Sequence, residues 1–129
     1  MYATLVDTAA VHYDAAAIRQ YAPKAEELAL RHGHTLYLAV THRAWGVAHR
    51  LAGDYDFAAT RLNQALEMLA GLDARWQIGR TLYELGQLAA AQGDKQSARV
   101  RFSQSLADFE AMRAAPDVAK ARAALAELL

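Results

Sequence analysis

Residues 85–94 read Leu85-Gly86-Gln87-Leu88-Ala89-Ala90-Ala91-Gln92-Gly93-Asp94. Forty residues earlier the chain reads Trp45-Gly46-Val47-Ala48-His49-Arg50-Leu51-Ala52-Gly53-Asp54. Laying the two stretches on each other puts Gly46 on Gly86, Gly53 on Gly93 and Asp54 on Asp94. Continuing outward, Ala58 falls on Ala98, Leu62 on Phe102, Leu66 on Leu106 and Leu69 on Phe109. Two glycines, an aspartate and a small residue returning together at one offset mark an internal repeat. A third copy opens near the C-terminus, where Lys120, Leu125 and Ala126 fall on Arg80, Leu85 and Gly86.

Each landmark has a physical task. Glycine takes the left-handed backbone conformation that ends a helix at little steric cost, which fits Gly53 and Gly93. Asp54 and Asp94 follow at once, where a carboxylate can accept from the free N–H groups of the next helix. Gly46 and Gly86 fall inside helices, where glycine costs about 1 kcal/mol relative to alanine. That cost is repaid if a partner helix comes close, with Ala58 and Ala98 opposite and Leu62 and Phe102 filling the space beside them.

Working outward gives helices over 35–52, 55–70, 74–92, 95–113 and 117–129. Pro116 suits the first turn of the last of them through its fixed φ. Residues 14–32 also read as helical, stopped at Gly33, with Pro23 expected to kink or divide the helix. A short helix is expected before Asp14. Ahead of residue 34 the register is open, since offsets of 37, 38 and 40 each align something. The chain reads as one domain: a degenerate unit over 1–33, repeats over 35–72 and 75–113, and a C-terminal half-repeat or capping helix over 116–129. Its fold class is all-α, with about six to seven helices. Ala, Leu, Arg, Glu and Gln dominate, all good helix formers, and no stretch alternates with period two.

Composition narrows the function classes. Lys plus Arg equals Asp plus Glu at 14 each, with a pI near 7.0, so no general field draws nucleic acid or anionic membrane. There is no cysteine, which removes disulfides, thiolate metal sites and thiol nucleophiles. No apolar run reaches the ~18 to 20 residues of a membrane span, and the opening stretch, with Asp7 and no basic start, does not read as a signal peptide. A reducing, cytoplasmic setting is the expectation.

Glycine before a helical turn, Gly-Asp at the bend, then alanine and a large apolar residue resembles the tetratricopeptide repeat. The forty-residue spacing, with the stretch 85–94, is similar to the long repeats of MalT-type bacterial transcription activators and other multidomain signalling proteins. The run from Phe109 to Leu125 is similar to the ends of such arrays. Departures are Trp45, where the second copy has Leu85, and the lack of a proline after the second helix of the first full copy. The resemblance implies a right-handed α-solenoid of antiparallel helix pairs, whose first helices line a concave groove for a protein or peptide.

Placed on that geometry, the groove residues would be Val40, Arg43, Val47 and Arg50, then Arg80, Tyr83 and Gln87, then Lys120. Arg43, Arg50, Arg80 and Lys120 would make it locally basic, and arginine forks suit carboxylates, so an acidic peptide is the expected ligand. The plain alternative is that these cations are solvated surface. The full Lys/Asn/Arg carboxylate clamp of chaperone-binding members is not reproduced, because Val47 and Glu84 stand where polar amides would be needed.

Other candidates read as structure. His42 and His49 are seven apart, about 10 Å along a helix, too far for one metal ion, and no carboxylate shares their stripe. His32 and His34 flank Gly33 without a partner set. Trp45, beside Gly46, and Trp76 read as core, and Glu26 with Glu27 as a solvated helix face. No catalytic residue, metal or cofactor is expected. Two function classes remain: a binding module with a peptide in its groove, possessing no direct nucleic-acid or membrane role, or a structural array that self-associates through terminal helices exposing Leu125, Leu128 and Leu129.

Overall fold

The computed structural model describes residues 1–129 and contains seven helices and no strand. They are α1 (Tyr2–Val11), α2 (Ala15–Arg31), α3 (Thr35–Leu51), α4 (Tyr55–Gly71), α5 (Arg75–Ala91), α6 (Lys95–Ala111) and α7 (Ala115–Glu127). Every helix from α2 to α6 has 17 residues. The chain divides into two compact units, Met1–Leu72 and Asp73–Leu129.

The turns share one construction. A left-handed residue stands at Tyr13, Gly33, Gly53, Asp73, Gly93 and Arg113. At Gly53 the turn closes with Asp54 N–H on the His49 carbonyl (2.8 Å), and at Gly93 with Asp94 N–H on the Ala89 carbonyl (2.9 Å). These bonds satisfy carbonyls that a helix end leaves open. Caps differ more than the sequence implied. Asp94 accepts from Ser97 N–H at 3.0 Å and from the Ser97 hydroxyl, which hold its carboxyl below the ordinary value. Asp14 accepts from Ala17 N–H, whereas Asp54 makes no side-chain cap bond. His34, which carried no capping expectation, accepts from Tyr37 N–H at 3.4 Å while stacked on the Tyr37 ring.

In the first unit α1 packs on α2 and α3, α2 on α3, and α3 on α4. Val6, Ile18, Ala22, Ala44 and Val47 form its core, edged by Tyr13, Tyr21 and Trp45. The helix starts at 15, 55 and 95 fix the early register at forty, which discards the offsets of 37 and 38. Helix α2 runs through Pro23 undivided. Pro23 and Arg19, whose carbonyl loses a donor to the proline, both face solvent, so water can replace the missing bond.

The mid-helix glycines are close-approach sites. A Cβ on Gly46 would lie 2.5 Å from Leu62 Cγ, and one on Gly86 would lie 2.6 Å from the Phe102 ring. At the equivalent place in the first helix pair the sizes are exchanged: Val6 stands for glycine and Ala22 for the large residue, both fully buried. In the second unit α5 packs on α6 and α6 on α7, around Tyr83, Ala98, Phe102, Ala124 and Leu128. Gly79 adds a second close approach, 2.8 Å from the Phe109 ring if it carried a Cβ; the first repeat has Ala39 and Leu69 there. Leu128 is buried, which corrects the expectation that it projects outward; Leu129 is fully exposed. No helix is long and apolar enough to cross a membrane.

Candidate functional site

Helices α3 and α5 carry seven of the eight residues expected to line a groove, and α7 carries Lys120. The structure divides them. Val40, Arg43 and Val47 are interior, with Arg43 only 2% exposed. Arg43 donates to Asp7 of α1 at 3.0 Å, an ion pair inside the first unit. The expectation of an exposed basic stripe through Arg43 is therefore corrected: α1 packs on α3 and brings the carboxylate that neutralises it. Arg50 is half-buried, with its guanidinium 4.7 Å over the Tyr13 ring.

The second unit brings three of the expected residues together. Gln87 donates from Nε2 to the Tyr83 hydroxyl at 2.9 Å, and Lys120 Nζ lies 4.7 Å over the Tyr83 ring. Tyr83 itself is buried rather than open to solvent, tilted against Phe102 at 5.3 Å between centroids. Its ring is the floor on which an exposed lysine and a half-buried amide are set. Arg80 lies 4.8 Å over the Trp76 ring and donates to Gln77. Trp76 is not core: it is 41% exposed and its indole N–H donates to Asp117 at 2.9 Å. As the second residue of α5, it meets the start of α7 rather than the interior.

A polar cluster in the first unit had no counterpart in the sequence reading. Glu26 of α2 accepts from the Trp45 indole (3.1 Å) and from Arg61 (2.8 Å), and Arg61 also donates to His42 Nδ1 (2.8 Å). Arg61 lies 5.5 Å over the Trp45 ring. An arginine can only donate, so Nδ1 accepts and the neutral imidazole carries its proton on Nε2. Burial, then the Arg61 charge, push the His42 pKa below its ordinary 6.5, against the pull of Glu26. For Glu26, burial works upward, but the Arg61 hydrogen bond and charge outweigh it, helped by His42 and the Trp45 N–H. Its carboxyl is held below the ordinary 4.5, so Glu26 is not a solvated-face residue. The signal was available: at the forty-residue offset Glu26 stands where Leu66 and Leu106 stand, His42 where Leu82 stands, and Trp45 where Leu85 stands. His49 sits beside this cluster, ring to ring between Trp45 and Phe57. No group of three or more His, Asp or Glu is arranged to hold a metal ion.

Within each unit, successive helices joined by three-residue turns and interlocked at small residues define a helical repeat scaffold. The tetratricopeptide repeat family matches over residues 37–111, more than half of the chain. The chain belongs to that family, and its fold class is the α-solenoid of antiparallel helix pairs. Members generally mediate protein–protein interaction as non-enzymatic scaffolds. No curated protein matches the chain.

Proposed function

We propose that the chain is a protein-interaction module that holds a peptide segment against the first helices of the second unit, at Gln87 and Lys120. The observation that supports this reading is the Tyr83–Gln87–Lys120 grouping, three residues of two successive first helices in contact with one another. Lys120 Nζ offers a charge-assisted donor and Gln87 a second polar group, set on an aromatic floor that restricts both. A ligand carboxylate is the matching chemistry. Acidic segments are thus the favoured class, on a smaller basic patch than the sequence implied, because Arg43 is engaged by Asp7. The forty-residue period supports membership of the long-repeat type found in bacterial regulators, and with it a role in a cytoplasmic signalling or transcription-regulatory system. Self-association through terminal helices is the competing reading, weakened by the burial of Leu128.

The test is an array of acidic, neutral and basic peptides probed with the labelled full chain and its Lys120→Glu variant. Acidic peptides should be retained by the native chain and lost by the variant, with unchanged circular dichroism. Retention of the same peptides by both proteins would overturn the reading.

A further inference from the structure

An exposed tryptophan stands at one end of the grouping formed by Tyr83, Gln87 and Lys120. Trp76, Arg80, Tyr83 and Gln87 follow one another along α5 at steps of four, three and four residues, so they form one stripe. Two side-chain bridges run from that stripe to α7. The Trp76 indole N–H donates to Asp117 at 2.9 Å, and Lys120 Nζ stands 4.7 Å over the Tyr83 ring. Asp117 and Lys120 are three apart on α7, so they too share a face. Both bridges therefore cross the same furrow between α5 and α7. In the first unit the equivalent stripe of α3 is Leu36, Val40, Arg43 and Val47. There Val40, Arg43 and Val47 are buried, with α1 packed on α3 and Asp7 on Arg43. The α5 stripe carries Trp76 and Gln87 where α3 has Leu36 and Val47, and Trp76 remains exposed.

We infer that Trp76 is a second anchor of the proposed groove, receiving an aromatic side chain of the same peptide whose carboxylate meets Lys120 and Gln87. The inference rests on that reading of the groove and adds a ligand residue to it. Asp117 engages the indole N–H, so what Trp76 offers a ligand is not a hydrogen bond but a ring held in place. The Arg80 guanidinium already stands over one face of that ring, at 4.8 Å, which makes a lysine or arginine of the ligand the poorer partner. Another aromatic ring, offset or edge-on, is the matching occupant. Helix geometry sets the spacing. Trp76 and Tyr83 lie about 10 Å apart along α5, and Asp117 and Lys120 about 4.5 Å apart along α7. An extended chain advances about 3.3 Å per residue, so the ligand's ring and carboxylate stand two or three positions apart.

The probes are short labelled peptides holding one glutamate and one phenylalanine, set two or three positions apart and in both orders. Each is matched by a version with alanine in place of the phenylalanine. All are titrated by fluorescence anisotropy with the full chain and with its Trp76→Ala, Trp76→Leu and Lys120→Glu variants. In at least one arrangement the phenylalanine should tighten binding to the native chain at least ~5-fold. Trp76→Ala should cut that gain below ~2-fold while the alanine version binds as before and the circular dichroism is unchanged. Trp76→Leu, which installs the residue found at position 36, should do the same, since it keeps apolar bulk and removes the flat ring. The inference is overturned if phenylalanine adds nothing in any arrangement, or if its gain survives both Trp76 variants. In either case acidic peptides that still depend on Lys120 leave the groove reading standing. If Lys120→Glu changes the binding of none of the peptides, the groove reading falls and the inference falls with it.

Discussion

At the scale of single residues, the fold is held by pairs whose sizes must match. Gly86 has room for no side chain because the Phe102 ring, itself buried, occupies the volume a methyl would need. Alanine at 86 gains about 1 kcal/mol in helix propensity but forces a close contact in a full core. Overpacking is the larger effect, so Gly86→Ala should lower stability by roughly 1–2 kcal/mol, read as a shift of the urea midpoint. Phe102→Ala alone should cost about 3–5 kcal/mol. The double variant restores the Val6–Ala22 kind of pairing, so its loss should be smaller than the sum of the single losses. Additive losses in that cycle would disprove the size-matching account. The large–small complementarity was legible in the sequence at Gly46 and Gly86 because the glycines recur. At Gly79 it was not, because its counterpart is Ala39 and only the enlargement of Leu69 to Phe109 makes glycine necessary.

Among the elements, α2, α3 and α4 are joined by polar contacts that depend on pH. His42 is neutral in the folded state and titrates below 6.5, so its contribution to stability is complete above that pH and fades as the pH falls through its lowered value. The carboxylate of Glu26 acts in the same direction, at more acid pH, below 4.5. Thermal melts should therefore show the midpoint falling between about pH 7 and about pH 5, before most carboxylates titrate. His49, whose pKa burial and the Arg61 charge also lower, adds to the same interval, so His42→Leu, which installs the residue found at position 82, should reduce that slope without abolishing it and leave the lower interval. An unchanged slope between the two pH values would show that His42 is not the group responsible. The burial of Arg43 was hidden for a related reason. It depends on α1, a ten-residue helix without glycine landmarks or an acidic first turn, so nothing in the local pattern announced Asp7 as its partner. Trp76 misled for the opposite reason: its helical spacing fits a core, but its place at the start of α5 leaves it against Asp117 at the surface.

Across the whole molecule, two periods coexist. Side-chain chemistry repeats every forty residues, while left-handed turn residues come at 13, 33, 53, 73, 93 and 113, every twenty. The longer period was legible because Gly53 and Gly93 belong to the same half of the repeat. The shorter one was masked because Tyr13, Asp73 and Arg113 hold the conformation without glycine. These three accept a backbone state that costs an ordinary residue about 1–2 kcal/mol, and tertiary packing supplies the difference.

The evenly spaced turns also govern how quickly the chain finds its structure. Within each unit, each helix closes onto its chain neighbour across three residues, so the loops that must be closed are short and their entropy cost is low. Contacts local in sequence favour refolding within microseconds to milliseconds, with no wait for distant segments to meet. Stopped-flow refolding should complete its main phase in the millisecond range or faster. A dominant phase of seconds would mean that something other than adjacent-helix closure sets the rate.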